Sequence, residues 1–316
     1  MKSLLPRVLI CDPIHQDGVK LLRSAGYEVV EKPKIAKDEL LADAKDFEVI
    51  VVRGRTKVTE DVIAAATSLK VIARSGVGID NIDLEAAKRR GIVVVSTPGA
   101  PVTSVAELTI GLMVSLLRQI PIADQAMKQA QWTKAQLMGR ELRERTLGVV
   151  GVGGRIGAEV ARIARHGFGM NVIGYDVVDV REKAGQVGFE VSTKLEDLLE
   201  KSDIVTVHVP YLPSTHHLID DARIRRMKIG SILINTSRGD IVDGRALLEA
   251  INEGRIAGAG LDVFHDEPPK EDWERELATL QNGRSVCTPH IGAQTHECQR
   301  LESVTVGQEI IRLLGA

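Results

Sequence analysis

Short apolar runs alternate with amphipathic segments along almost the whole chain. The first series is Val8-Leu9-Ile10, Tyr27-Glu28-Val29-Val30, Val49-Ile50-Val51-Val52, Val71-Ile72-Ala73 and Ile92-Val93-Val94-Val95. Helical spacing fills the intervals at 18–24, 38–44, 62–66 and 84–90. Continuous β-branched runs suit strands buried on both faces of a parallel sheet. Their alternation with helices predicts βαβ units. A second series of runs covers 147–150, 172–173, 204–207, 232–234 and 257–261, with a short one near Val286. Helices are predicted over 243–252 and from about 294 to 314.

Between the two series stands Thr97-Pro98-Gly99-Ala100-Pro101, a breaker cluster that predicts a crossover between domains. Ser104-Val105-Ala106-Glu107 reads as a capping box. The helix it opens runs to about Arg118 and is apolar nearly all round, so it is expected in a core or against a partner subunit. Thr193-Lys194-Leu195-Glu196 reads as a second capping box.

At 316 residues the chain has room for two domains. The net charge is -2 with the signs interspersed, so no basic face for nucleic acid is expected. Aromatic residues are only 3%, so Val, Ile, Leu and Ala must fill the cores. Cys11, Cys287 and Cys298 lack the spacing of a disulfide framework or a zinc site and read as buried or incidental thiols. The longest apolar stretch, 108–117, is too short to span a bilayer. In Met1-Lys2-Ser3-Leu4-Leu5-Pro6-Arg7 the last two residues break any signal-peptide core. A cytoplasmic protein without a membrane partner or a metal is expected.

Leu147 to Gly157 reads as a strand, a glycine-rich turn and a helix start. Glycines let the backbone approach a pyrophosphate, and a helix N-terminus offers free N–H groups with a positive dipole end. Asp176 ends the next strand, 19 residues beyond Gly157. A carboxylate there accepts from the ribose hydroxyls and repels a 2′-phosphate, which points to NAD. The spacing departs from GxGxxG. Gly151, Gly153 and Gly157 form GxGxxxG, with Gly154 as the extra residue.

Three later strand ends carry Arg238, Glu267 and His290. Carbonyl reduction needs a hydride and a proton. Histidine suits proton exchange near neutral pH, a carboxylate orients it, and an arginine holds a carboxylate or polarises a carbonyl. His208 is expected to line the cleft or to satisfy backbone groups.

These stretches resemble the D-isomer-specific 2-hydroxyacid dehydrogenase family over nearly the whole chain. The matching segments include Gly76-Val77-Gly78-Ile79-Asp80-Asn81, Ala106-Glu107-Leu108-Thr109 and Leu212-Pro213-Ser214-Thr215. The resemblance implies an α/β protein of two doubly wound parallel-sheet domains with a cleft between. A flavodoxin-like substrate-binding domain would span 1–98 plus 292–316, and an NAD-binding Rossmann domain 99–291. It implies Arg238, Glu267 and His290 as catalytic residues. Cofactor contacts would fall on Gly151, Gly153, Gly154, Arg155, Ile156, Asp176, Val209, Thr236, Asp262, Gly292 and Ala293. Substrate contacts would fall on Arg53, Arg74, Gly76, Val77, Gly78 and Arg238, with the loop amides on a carboxylate.

The implied substrate is a small 2-hydroxy or 2-keto acid, and Arg53 and Arg74 favour one bearing phosphate. A reductase of glyoxylate or hydroxypyruvate is the alternative within the family. An NAD-sensing corepressor on the same fold is the alternative from another class; the three catalytic-type residues without a long disordered tail weigh against it. The helix 102–118 resembles the family's dimer-forming helix, and Trp132 stands in an arm toward the partner or else packs in the core. Some members carry a carboxy-terminal serine-binding domain. The sequence stops at Ala316, so no serine feedback through such a domain is expected.

Overall fold

The computed structural model describes residues 6–280 and 283–315. Met1 to Leu5, the first part of the stretch read against a signal peptide, and Ala316, the end of the expected substrate-binding domain, lie outside the described residues. The chain divides into two compact units. One takes the residues up to Pro101 together with those from Ala293 onward, and the other is Val102–Gly292. The first division thus falls after Pro101, at the end of the breaker cluster rather than inside it.

The first unit holds five parallel strands: β1 (Arg7–Ile10), β2 (Glu28–Glu31), β3 (Val49–Val52), β4 (Val71–Arg74) and β5 (Val93–Val95). Their order is β2-β1-β3-β4-β5, the flavodoxin-like arrangement. All four residues of β3 are buried, as a central strand covered on both faces requires. Helices α1 (Gln16–Ser24), α2 (Lys37–Asp43), α3 (Glu60–Ala65) and α4 (Leu84–Arg89) connect the strands. The carboxy-terminal helix, His296–Leu314, packs on α1. The two come so close at Gly18 that a Cβ there would fall on Ser303. The Ser303 hydroxyl donates to the His15 carbonyl at 2.7 Å.

The second unit holds seven parallel strands: β6 (Thr146–Val150), β7 (Asn171–Tyr175), β8 (Glu190–Val191), β9 (Ile204–Val207), β10 (Ser231–Asn235), β11 (Ile256–Leu261) and β12 (Ser285–Cys287). Their order, β12-β11-β10-β9-β6-β7-β8, is the Rossmann order with a seventh strand at the edge. It reverses between β6 and β9, which pair from Leu147–Ile204 to Val150–Val207. Ligands of open α/β sheets bind outside the carboxyl ends of the strands at this switch point. Helix α5 (Val102–Leu117) buries nine of its 16 residues within this unit. The small residues of β11 admit it: a Cβ at Gly260 would lie 3.1 Å from Leu112 Cβ.

Several helix starts differ from expectation. Helix α5 begins at Val102, so Ser104 is a buried first-turn residue and not a cap. The chain turns at Gln119, with φ of 52°, into an unforeseen helix α6 (Ile120–Lys128). The two axes bend by 67°, and no single helix among the described residues is long and apolar enough to cross a membrane. Helices α7 (Arg155–Phe168), α8 (Arg181–Val187), α9 (Leu195–Lys201), α10 (Asp221–Arg226), α11 (Gly244–Asn252) and α12 (Asp272–Ala278) complete the unit. The box at Thr193 does not form. Helix α9 starts at Leu195, with Lys194 before it and no side-chain cap, and Glu196 accepts from Arg223 at 3.1 Å. Trp132 is 80% exposed, so core packing is not its role. Burial pushes the Cys11 thiol up to about 12 and that of Cys287 to about 11, which leaves both protonated at neutral pH.

Candidate active site

The glycine turn leaves β6 at the switch point. Gly151 has φ of +89°, a conformation other residues rarely adopt. A Cβ there would also lie 2.7 Å from the His208 carbonyl oxygen and 2.9 Å from Val209 Cγ1. Val209 therefore stands beside the turn. Gly154 N–H closes a turn by donating to the Gly151 carbonyl at 3.1 Å. The extra residue of the motif is thereby explained. Gly154 is the N-cap of α7, and its carbonyl accepts the helix's bond from Ala158 N–H.

No side chain caps α7, so the N–H groups of its first turn, at Arg155 and Ile156, are not engaged by a capping side chain. At Gly157 a Cβ would collide with the Gly151 carbonyl, so only glycine lets helix and turn close up. Asp176 Oδ2 accepts from Gly153 N–H at 2.8 Å, which ties the acidic residue to the turn. A backbone cradle at an uncapped helix N-terminus, with a carboxylate at its rim, fits a dinucleotide.

The loops after β10, β11 and β12 carry the three catalytic candidates. After β10, Asn235 is 1% exposed. Its Oδ1 accepts from Ser237 N–H at 3.0 Å, and its Nδ2 donates to the Arg238 carbonyl at 2.8 Å. This pins the backbone of Arg238, whose Nη1 donates to the Ser237 carbonyl at 2.6 Å. Thr236 is buried, with its hydroxyl 2.9 Å from that of Thr109 on α5.

Asp262 follows β11 and is 1% exposed. Its Oδ1 accepts from Thr288 Oγ1 at 2.6 Å and Ile291 N–H at 2.8 Å, and its Oδ2 from Gly292 N–H at 2.8 Å. Its carbonyl accepts His290 N–H at 2.8 Å. In this structure the Asp262 carboxylate thus holds the loop on which His290 sits. Ala293 follows as the first residue of the other unit's closing segment.

His290 takes φ of 52°, a left-handed conformation uncommon outside glycine. Its Nδ1 lies 2.7 Å from Glu267 Oε2. Burial works to raise the Glu267 carboxyl, but the hydrogen bond and charge of His290, the Phe264 N–H and the Arg238 charge outweigh it and hold the carboxyl below its ordinary value. An ionised Glu267 only accepts, so Nδ1 carries the proton and Nε2 is the nitrogen left for exchange. The structure brings Glu267 and His290 into contact and sets Arg238 within electrostatic reach of Glu267.

Of the two roles expected for His208, the hydrogen bond that its ring makes is to a side chain. Its Nε2 lies 2.9 Å from Thr206 Oγ1, a side chain and not a backbone group. Burial pushes its pKa down to about 3, so the ring is neutral and does not serve as a proton donor near neutral pH. His265, which the sequence argument passed over, lies 2.5 Å from Asp240 Oδ1. The link ties the turn after Arg238 to the loop before Glu267. The only sequence signal for it is proximity to Glu267.

In the first unit, Arg53 follows β3 and Arg74 ends β4. Asp12, buried after β1, fixes the Arg53 backbone by accepting its N–H at 2.6 Å. Gly76 N–H donates to Thr97 Oγ1 at 2.9 Å. Of the three amides expected to face an anion, this one is therefore committed to the loop itself. The Arg74 guanidinium occupies the space a Cβ at Gly76 would need. Val77, at 41%, is exposed, and Gly78 is half-buried.

Residues 110–292 match the family model described as the NAD binding domain of D-isomer specific 2-hydroxyacid dehydrogenases. The chain belongs to this family, whose cofactor is NAD. It is 45% identical to the D-3-phosphoglycerate dehydrogenase of Methanocaldococcus jannaschii, over 98% of this chain and 57% of that protein. It is 42% identical to the hydroxypyruvate reductase of Thermotoga maritima, over 98% of both. The chain therefore spans little more than half the length of the first relative and nearly all of the second. Among solved structures it resembles a glyoxylate reductase from Paecilomyes thermophila, with a TM-score of 0.86 and 31% identity over 98% of this chain and 95% of that one.

Proposed function

We propose that this chain is an NAD-dependent dehydrogenase that interconverts D-3-phosphoglycerate and 3-phosphohydroxypyruvate. The observation that carries the chemistry is the 2.7 Å contact of His290 Nδ1 with Glu267, beside Arg238. We assign the residues up to Pro101 and those from Ala293 onward to substrate binding, and Val102–Gly292 to the cofactor.

The turn from Gly151 to Gly154, the amides of Arg155 and Ile156, and Asp176 would hold NAD, with Val209, Thr236, Asp262, Gly292 and Ala293 around it. NAD supplies the hydride acceptor or donor when bound. His290 Nε2 gives a proton to the carbonyl oxygen during reduction and takes it back during oxidation. Glu267 keeps the ring in the tautomer that leaves Nε2 available and balances the imidazolium charge. Arg238 draws electron density toward the carbonyl oxygen and helps to bind the carboxylate. The amides of Val77 and Gly78 receive the carboxylate, since successive backbone N–H groups make an anion nest. Arg53 and Arg74 face the distal group of the substrate.

The phosphorylated substrate rests on those two arginines and on the identity to a phosphoglycerate dehydrogenase. Hydroxypyruvate is the second reading, favoured by full-length similarity to a hydroxypyruvate reductase. The ratio of kcat/KM for 3-phosphohydroxypyruvate over hydroxypyruvate decides between them. A ratio above one is expected, and a ratio below one moves the assignment to hydroxypyruvate. A second copy of this chain is the proposed partner, covering exposed Met127, Trp132 and Met138. Light scattering that finds a monomer at micromolar concentration would end that proposal.

A further inference from the structure

The carboxy-terminal helix buries Cys298, Glu302, Ser303, Val306, Gly307 and Ile310. One of these is chemically out of place. Glu302 is 1% exposed, and a carboxylate withdrawn from water must be answered by positive charge. Its Oε2 makes no hydrogen bond among the described residues and stands 3.6 Å from Arg53 Nε. Burial pushes its carboxyl up, and the charges of Arg53 and Arg74, with smaller help from Cys298 and from a bond to Arg53, pull it back only in part. The charges that answer Glu302 are thus the two arginines that the proposed function gives to the substrate. Arg74 in turn lies against Gly76, at the start of the glycine loop. Two guanidiniums thus answer one buried carboxylate.

We propose that Glu302 is a specificity-determining residue that holds Arg53 and Arg74 together and cancels one of their two charges, so that this anion subsite admits both phosphorylated and unphosphorylated substrates. The proposal rests on the reading that Arg53 and Arg74 face the distal group of the substrate. A bare arginine pair favours a phosphate strongly and penalises a neutral hydroxyl, which leaves both cations without an acceptor. With Glu302 in place the pair is already compensated when the substrate is uncharged there. A phosphate must compete with Glu302 for the same guanidiniums, and its advantage shrinks.

The test uses the full chain and the ratio of kcat/KM for 3-phosphohydroxypyruvate over hydroxypyruvate. Glu302→Gln keeps the shape and removes the charge. It should raise the ratio about tenfold, through KM rather than kcat. Glu302→Asp keeps the charge and should leave the ratio near that of the parent. An unchanged or lower ratio in Glu302→Gln overturns the proposal, as does an equal change in both variants, which is the mark of a purely structural residue. If Glu302→Gln does not fold, Glu302→Met, neutral and of similar volume, repeats the test. Arg53→Gln separates the two readings. It should lower the ratio, and if it does not, the arginine assignment fails together with the Glu302 proposal. If Arg53→Gln lowers the ratio while Glu302→Gln leaves it unmoved, only the Glu302 proposal fails.

Discussion

Replacing His290 by alanine should lower turnover by roughly 10²- to 10⁴-fold, the usual worth of a positioned proton donor. NADH binding, followed by fluorescence titration, should stay near that of the parent. The two effects separate because the glycine turn after β6 and the His290 loop after β12 are held independently. The turn closes on itself between Gly151 and Gly154. The loop hangs on Asp262 through the amides of Ile291 and Gly292. Alanine at 290 removes the ring and keeps the backbone N–H that bonds the Asp262 carbonyl. Near-parent turnover would take His290 out of the proton-exchange role.

Arg238→Gln should lower kcat/KM for a 2-keto acid by about 10²- to 10³-fold, the range for losing a donor aimed at a developing oxyanion. The loss should appear in both KM and kcat, because the proposed role gives the guanidinium both binding and polarisation. Its backbone is fixed by Asn235 and survives the change, so the unfolding transition should move little. Arg238→Lys should recover only part of the rate, since a single ammonium cannot present the planar fork of a guanidinium. Full activity in Arg238→Lys would mean that only a charge is needed there. Full activity in Arg238→Gln would remove the residue from the reaction.

The strands were the most legible part of the chain. The run Val49-Ile50-Val51-Val52 and the residues 204–207 announce central parallel strands because every side chain in them meets a helix-covered face. Two-residue β8 has too little pattern to be seen. Of the missed helices, α8, α10 and α12 are six or seven residues long and mostly polar, and each depends on local contacts more than on periodicity. Asp220, accepting from Arg223 N–H at 2.9 Å, caps α10 and is the one sequence signal that was available for it. The false cap at Thr193 shows the reverse case, a motif that the structure does not use, since α9 starts at Leu195 behind Lys194.

The candidate site is legible at strand ends, and the residues that support it there are not. Gly151, Asp176, Arg238, Glu267 and His290 stand where chain direction and chemistry coincide. Asp12 and Glu302 both contact Arg53 and carry no motif. Glu302 does leave one trace. Cys298, Glu302, Val306 and Ile310 follow each other at intervals of four, so a carboxylate sits on an otherwise buried helix stripe. Such a residue needs a cationic partner, but only the fold shows that the partners are Arg53 and Arg74. The double use of Asp262 is similar. Its position suggested a cofactor contact, and the structure shows three hydrogen bonds that shape the His290 loop.

The most direct test of the central claim is NADH oxidation by the purified chain with 3-phosphohydroxypyruvate, hydroxypyruvate, glyoxylate and pyruvate, followed by chiral analysis of the product wherever the product is chiral. Steady turnover with at least one of these acids, loss of that turnover in His290→Ala, and a product of D configuration are the predicted result. An L product, or turnover that persists without His290, would contradict the account.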